Sequence, residues 1–179
     1  KGEKVINWDP KGQTTISDDE VSHQERAAVL YTFKYSNDFP IPIATTRPET
    51  KVGDVAVAIN PKDARYKQYL GKEYKVNFCG ENLIIKVISD SSIDKDFGTG
   101  ALGLTPAHSK TDEEIAKKND LRSIQVIDER AKMILPQNEL LNGKKVLEAR
   151  SLVVEWLKAN NLLINEENIK QNVAVAERS

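Results

Sequence analysis

Two short segments of the 179-residue chain combine polar side chains that could act on a substrate. The first, Thr45-Thr46-Arg47-Pro48-Glu49-Thr50, ends an apolar strand, and the second runs from Thr105 to Asp112 at a helix start. Together they supply hydroxyls, a guanidinium and carboxylates, groups that bind a polar substrate and position water. On spacing alone a structural interpretation stays open, because Ser109 and Asp112 fit a capping box and paired threonines are common in strands.

A third motif, Gly98-x-Gly100-x-x-Gly103, matches the dinucleotide-binding fingerprint, with an acid at Asp128 about 25 residues further on. That fingerprint needs a buried strand leading into the first glycine and a helix opening at the third, so that the helix N-terminus faces the pyrophosphate. Here a polar run, residues 89–96, precedes the glycines, and the helix begins about six residues late, after Pro106. The sequence therefore disfavours NAD binding.

The other reactive residue types indicate neither covalent catalysis nor a metal centre. The chain has no Gly-x-Ser-x-Gly motif, and its single cysteine, Cys79, lies in a predicted hairpin turn with no helix N-terminus to activate it. His108 and Asp112 have the spacing of two ligands on a helix, but no third ligand stands at a recognisable spacing. We expect no metal and no cofactor.

The composition describes one globular domain with a surface of mixed charge. Lys+Arg 26 against Asp+Glu 27 gives a formal charge of -1, which lacks the basic excess typical of nucleic-acid binders. No apolar run approaches a membrane span of about 18 residues, and the start at Lys1 carries neither an initiator Met nor a signal peptide. We expect a cytoplasmic fragment of a longer protein that does not contact a membrane.

The pattern of residue types predicts many short strands and three helices. Strands are predicted at residues 5–8, 13–17, 29–35, 41–46, 55–59 and 124–127, and a hairpin at residues 73–76 and 83–88. Helices are predicted at residues 62–69, 109–119 and 146–160. Strands and helices do not alternate regularly, so the predicted fold is mixed α/β, an irregular β-barrel core with peripheral helices.

Both polar segments belong to longer motifs. These are Ala44-Thr-Thr-Arg-Pro-Glu-Thr50 with Gly53-Asp54-x-Ala56-Val57-Ala58, and Phe97-Gly-Thr-Gly-Ala-Leu-x-Leu-Thr-Pro-Ala-His108. They closely resemble the inserted editing domain of the class I aminoacyl-tRNA synthetases, and the valyl branch is the most similar. Residues 7–21 and 172–179 resemble the entry and exit strands of that branch. The isoleucyl branch usually differs at Thr45–Pro48, and the leucyl branch at Glu49.

The resemblance implies a single editing domain over residues 1–179, with about 1–25 and 165–179 as strands linking to an absent catalytic core. It implies hydrolysis of mischarged tRNA, chiefly threonyl-tRNA for valine, by a positioned water. The implied partners are the tRNA 3′-terminal adenosine carrying the wrong amino acid and the rest of the parent synthetase. The family's aminoacylation signatures, His-Ile-Gly-His and Lys-Met-Ser-Lys-Ser, are absent from the sequence, so we expect no aminoacylation by these residues.

The resemblance also implies roles for individual residues. Asp112 is expected to hold the α-ammonium group of the substrate, and Thr105 to meet the substrate or its water. The implied substrate-binding residues surround the terminal adenosine and the amino acid: Thr45, Thr46, Arg47, Pro48, Glu49, Phe97, Gly98, Thr99, Gly100, His108 and Ser109.

Two positions depart from the valyl pattern. Gly103 stands where that branch usually has lysine, and Ser109 stands where it usually has aspartate. The absence of both a cation and an anion keeps the local charge constant. This is compatible with a different recognition of the threonine hydroxyl or with weakened editing. A degenerate module that binds the tRNA 3′ end without hydrolysing it is therefore one alternative. The editing domain of an isoleucyl- or leucyl-tRNA synthetase is another.

Overall fold

Strands form most of the regular structure. The computed structural model describes residues 21–176, and the side chains of residues 25–171. Its strands are β1 Val21–Phe33, β2 Ile43–Thr45, β3 Ala56–Ile59, β4 Glu73–Phe78, β5 Glu81–Ser89, β6 Ala101–Leu104 and β7 Leu163–Ala176. Its α-helices are α1 Lys110–Lys118 and α2 Val146–Ala159, with short 3-10 helices at Pro48–Gly53, Lys67–Tyr69 and Pro106–His108. The predicted strands at residues 5–8 and 13–17 lie outside the described residues.

The chain divides into two units, one of which comprises residues 30–166. Of the other unit the structure describes residues 21–29 of β1 and 167–176 of β7, where Lys170 Nζ lies 3.9 Å from Glu25 Oε1. Every predicted site residue belongs to the unit of residues 30–166.

One sheet has three strands in the order β2-β1-β7. β1 and β2 are antiparallel, with Tyr31 opposite Thr45 and Phe33 opposite Ile43. Phe33 and Ile43 are fully buried, so this cross-strand pair attaches the short edge strand to the core. The register therefore places Thr45 at the end of an edge strand, where the first polar segment begins.

The second sheet has four strands in the order β4-β5-β3-β6 and is mixed in direction. β4 and β5 form the predicted hairpin around the two-residue turn Cys79-Gly80. β3 pairs in parallel with β5 and antiparallel with β6. All four residues of β3 are buried, as a continuous apolar run predicts for a central strand.

The two sheets are open rather than closed. β2 and β6 approach each other through side chains, since a Cβ placed on Gly103 would lie 3.1 Å from Ile43 Cδ1, but the two strands belong to different sheets. The predicted mixed α/β class is confirmed. The predicted irregular barrel is not confirmed, because within residues 21–176 no ladder joins the sheets into a cylinder.

Two of the three predicted helices form close to their predicted bounds. α1 has Ser109 as its N-cap, which accepts from the amide of Asp112, and lysines in its last turn. α2 buries Ala149, Val153 and Leu157 at helical spacing. The periodic apolar face and the capping residue were therefore reliable signals here.

Two predicted elements are wrong. The helix predicted at residues 62–69 is a series of turns ending in the 3-10 helix Lys67–Tyr69, because Asn60 Oδ1 and Asp63 Oδ1 accept from the amides of Lys62 and Arg65 and compete with helical bonds. The strand predicted at residues 124–127 is reduced to one bridge, between Ile127 and Met133.

Candidate active site

The first polar segment is a tight turn fixed by its own hydroxyls. The amide of Arg47 donates to Thr45 Oγ1 at 2.9 Å, and Thr50 Oγ1 donates to the carbonyl of Arg47 at 2.9 Å. The 3-10 helix Pro48–Gly53 follows at once, with Pro48 at its first turn, where a missing amide costs nothing. Thr46 is half-buried between these fixed points and Arg47 is exposed. The segment therefore holds Thr46 and Arg47 on a rigid support.

Arg47 connects the two polar segments. Its Nη1 donates to the carbonyl of His108 at 3.0 Å. The ring of His108 is half-buried, and its Nε2 accepts from the amides of Val126 at 2.9 Å and Ile127 at 3.2 Å. Burial and the nearby charge of Arg47 lower the pKa of His108, which favours the neutral ring. Because Nε2 accepts, the proton of the neutral ring is on Nδ1.

The carboxylate of Asp112 sits in the first turn of α1 and reaches back toward the end of β6. Its Oδ2 accepts from the amide of Thr105 at 2.9 Å, and its own amide donates to Ser109 Oγ at 3.3 Å. The side chain is buried, and no donor among the described residues lies on Oδ1. The structure therefore fixes one carboxylate oxygen of Asp112 through the backbone of Thr105.

Thr105 is more deeply buried than Asp112. It is 1% exposed, and its Oγ1 donates to Asp54 Oδ1 at 2.5 Å. The carbonyl oxygen of Thr50 lies 3.3 Å from the same Oγ1. Lys51 Nζ lies 3.1 Å from the same Asp54 oxygen, and the hydroxyl of Tyr35 donates to Asp54 Oδ2. The residue predicted to meet the substrate or its water is thus hydrogen-bonded on its hydroxyl side to a buried carboxylate.

Burial dominates the electrostatics of Asp54. Desolvation raises the pKa of this carboxyl to about 6, against the ordinary 3.8, although Lys51 and the hydrogen bonds from Thr105 and Tyr35 act in the opposite direction. The pKa of Tyr35 is raised well above its ordinary value by burial and by the charge of Asp54. The phenol therefore stays protonated and remains a donor to the carboxylate.

The loop of residues 97–100 packs beside β2. A Cβ placed on Gly98 would lie 2.9 Å from the Cβ of Ala44, so only glycine allows this approach without a shift. The carbonyl of Thr99 accepts from the hydroxyl of Tyr66 at 2.7 Å, and the amide of Gly100 donates to the carbonyl of Phe97. Phe97 at the start of this loop is 54% exposed.

Glu49 is placed differently from its neighbours in the first segment. It is fully buried, and Arg150 Nε and Nη2 donate to its two oxygens at 2.8 and 2.9 Å. Pro48 is also buried. Both residues support the segment from the inside, and their predicted substrate contacts stay predictions.

The structure brings most of the predicted residues into one connected group. Hydrogen bonds link Thr45 to Arg47, Arg47 to His108, and Asp112 to both Ser109 and Thr105. Tyr35, Lys51, Asp54 and Arg150 were not predicted. The available signal was a charged pair, Lys51 and Asp54, directly before an apolar strand, where an unpaired charge is expensive.

Two features are not found in residues 21–176. No group of three or more His, Cys, Asp or Glu side chains among them could hold a metal ion. None of their helices is long and apolar enough to cross a membrane.

Known proteins similar to this chain were found by sequence. A valine–tRNA ligase of Staphylococcus haemolyticus is 42% identical over 182 residues, covering 100% of this chain and 20% of the relative. A valine–tRNA ligase of Pseudothermotoga lettingae is 44% identical, covering 97% of this chain and 20% of the relative. The chain therefore spans about a fifth of the length of the curated relatives it matches. No family profile matches it.

A comparison of folds found a more distant similarity. A leucyl-tRNA synthetase of Agrobacterium radiobacter K84, solved in a ternary complex with tRNA and LeuAMS, matches 88% of this chain and 21% of its own, at 17% identity and a TM-score of 0.47.

Proposed function

This chain belongs to the class I aminoacyl-tRNA synthetases as a segment related to the editing domain of the valyl enzymes, and we propose that it hydrolyses the aminoacyl ester of mischarged tRNA, chiefly threonyl-tRNA for valine. The observation that carries the proposal is the placement of Asp112. One of its oxygens is held by the Thr105 amide, and no described donor lies on the other. An aminoacyl ester carries an α-ammonium group, which such a carboxylate oxygen can bind.

Discrimination between threonine and valine is easier in a second site, separate from the one that selects valine. A pocket shaped for valine cannot strongly reject an isostere that exchanges a methyl for a hydroxyl. A site that hydrogen-bonds the hydroxyl leaves its own polar groups unpaired when valine enters, which costs free energy. Thr45 and Thr46 have hydroxyl groups next to Arg47 in the chain. We therefore assign recognition of the substrate hydroxyl to this segment.

Arg47 contacts the terminal nucleotide in this proposal. Among the described residues, the guanidinium of Arg47 donates one hydrogen bond, from Nη1 to the carbonyl of His108, and the side chain is exposed. A guanidinium has five N–H donors, so the remaining donors are available for ribose or phosphate oxygens. Phe97 and the loop to Gly100 form the apolar wall on the side of β2.

The reaction needs no nucleophile from the protein. The ester is activated by its own ammonium group, so a positioned water can attack the carbonyl carbon directly. The bond from that carbon to the ribose oxygen then breaks, the ribose oxygen gains a proton to replace the one that the attacking water loses, and the products are free threonine and uncharged tRNA. His108 does not act as the base through Nε2, because two backbone amides occupy that nitrogen. Thr105 and Ser109 position Asp112.

The partners of the chain follow from the same relationship. We assign the 3′ end of tRNA to this chain as its substrate and the rest of a synthetase as its partner. We place this function in the cytoplasm. A formal charge of -1 is compatible with this, because a domain that receives only a single-stranded end does not need an extended basic surface.

Deacylation of tRNA charged with threonine or with valine tests the proposal, in this chain and in a full-length synthetase that carries it. Asp112→Ala should slow threonyl-tRNA deacylation by about 10- to 100-fold, because it removes a charged contact to the ammonium. Glu114→Ala changes an exposed acid on the same helix and should leave the rate unchanged. An unchanged rate in Asp112→Ala would remove Asp112 from the site. Binding of tRNA by the unaltered protein without deacylation would favour the degenerate binding module.

A further inference from the structure

A buried polar cluster lies behind the proposed site and is not used by the mechanism above. It consists of Tyr35, Lys51 and Asp54, of which Tyr35 and Asp54 are fully buried and Lys51 is 4% exposed. Lysine and aspartate are rarely buried unless they are paired, since removing a charge from water is costly. Their burial here therefore requires that each find partners inside the protein.

The contacts within the cluster satisfy both charges. Lys51 Nζ lies 3.1 Å from Asp54 Oδ1 and donates to the carbonyl of Gly103 at 2.7 Å. Asp54 Oδ2 accepts from Tyr35, and Oδ1 also accepts from Thr105. The ammonium and the carboxylate thus form a compensated pair, tied to β6 by a backbone carbonyl.

Gly103 makes room for this arrangement. A Cβ placed on it would lie 2.6 Å from the hydroxyl oxygen of Tyr35 and closer still to Asp54 Oδ2. A side chain at this position would therefore displace the Tyr35–Asp54 hydrogen bond. The cation of the cluster comes from Lys51 on the 3-10 helix Pro48–Gly53, while β6 contributes only its carbonyl.

Hydrogen bonds of Thr105 connect the cluster to the site. Asp54 holds the hydroxyl of Thr105, and the amide of the same residue holds Asp112. A shift of Asp54 would move Thr105, and the carboxylate of Asp112 would lose its fixed position. Misplacement by about 1 Å can cost on the order of 100-fold in rate.

We infer that Lys51 is a positioning residue, which holds Asp54 in place and through Asp54 and Thr105 sets the carboxylate of Asp112. The inference rests on the proposed function for its catalytic consequence. It assigns to this chain an internal cation that supports the site from the 3-10 helix. The positioning itself can be measured without any activity.

The test compares Lys51→Met with Lys118→Met. The control breaks another ion pair, since Lys118 Nζ lies 2.8 Å from the buried carboxylate of Asp90, outside the site. In Lys51→Met, kcat for threonyl-tRNA deacylation should fall on the order of 10- to 100-fold with KM nearly unchanged. Hydrogen exchange of the Thr105 amide should accelerate about tenfold. In Lys118→Met both should remain at the level of the unaltered protein.

Each outcome decides one question. If the unaltered protein does not deacylate threonyl-tRNA, the proposed function fails, while exchange at Thr105 still tests the positioning. Unchanged exchange and unchanged kcat in Lys51→Met would overturn the inference.

If Lys51→Met does not fold, the double variant Lys51→Met/Asp54→Asn removes both charges and avoids a lone buried carboxylate. It should fold and still show the reduced kcat, and a kcat at the level of the unaltered protein would equally overturn the inference.

Discussion

Arg150 holds both carboxylate oxygens of Glu49, with Nε 2.8 Å from Oε1 and Nη2 2.9 Å from Oε2. The two residues are 101 positions apart in the chain, one on α2 and one on the 3-10 helix that follows Arg47. Glu49 is fully buried, so its charge depends on this guanidinium. The pair therefore anchors the segment that carries Thr45, Thr46 and Arg47.

Replacing Arg150 by methionine should destabilise the protein by about 3 to 5 kcal/mol, because it leaves the carboxylate of Glu49 buried and unpaired. Urea-induced unfolding followed by circular dichroism measures the loss. The double variant Glu49→Gln/Arg150→Met has no buried charge at this place and should recover part of that stability. An Arg150→Met protein as stable as the unaltered one would show that Glu49 finds another partner.

The stability contributed by Asp54 should depend on pH. Burial raises its pKa in the folded protein to about 6, above the ordinary 3.8. A group whose folded-state pKa is raised contributes stability that is present below the unfolded-state pKa and is lost as pH rises through the folded-state value. Between about pH 4 and pH 6, Asp54 should therefore cost roughly 3 kcal/mol of stability in the unaltered protein.

The variant Asp54→Asn does not titrate at this position and isolates the effect. Its free energy of unfolding, relative to that of the unaltered protein, should increase as the pH is raised from 4 to 7. His108, whose pKa is lowered by burial, changes stability in the opposite direction over part of this range, but it is present in both proteins and cancels. A difference independent of pH would contradict the raised pKa of Asp54.

Gly103→Ala should destabilise the protein by about 1 to 3 kcal/mol, because its Cβ would lie too close to Asp54 Oδ2 and 2.6 Å from the hydroxyl oxygen of Tyr35. Adding Tyr35→Phe removes that oxygen, so the double variant should lose less than the sum of the two single losses. A double-mutant cycle by urea unfolding measures this coupling. Additive losses would show that the two residues do not compete for the same space.

Cys79 should be chemically inert in the folded protein. It is buried, and burial with the nearby charge of Glu81 raises its pKa to about 12, so very little thiolate exists near pH 8. As the single cysteine of the chain, it can be followed by mass after treatment with iodoacetamide. We expect no modification under native conditions and complete modification in urea. Rapid native modification would place the thiol at the surface.

Several elements were predictable because their signals are local. The apolar run at residues 55–59 became the central strand β3, and the acids, lysines and Ser109 cap around α1 marked its ends within a residue. The hairpin of β4 and β5 followed from Cys79-Gly80 between two strand-like runs. In each case the residues that decide the structure are neighbours in the chain.

Local side-chain bonds interrupt the helix predicted at residues 62–69, but the other failures come from partners that are distant in the chain. Residues 124–127 have strand-like composition, but His108 Nε2 takes the amides of Val126 and Ile127 that a ladder would need. Lys51 and Asp54 are near each other in the sequence, but Tyr35, Gly103 and Thr105, which make their burial possible, are distant from them. The polar residues of the site were found from their motifs, while the burial and the contacts of Lys51 and Asp54 were not predicted.

The long separations in sequence also have a consequence for synthesis on the ribosome. The first polar segment is made before its partners, since Glu49 has its guanidinium only after residue 150 has been made, and His108 its two amides only after residue 127. Contacts between distant residues form late, because the loops that they close must first be ordered. A nascent chain ending before α2 therefore has the local bonds of this segment but lacks the guanidinium that pairs with Glu49, and the site is completed only as this unit nears completion.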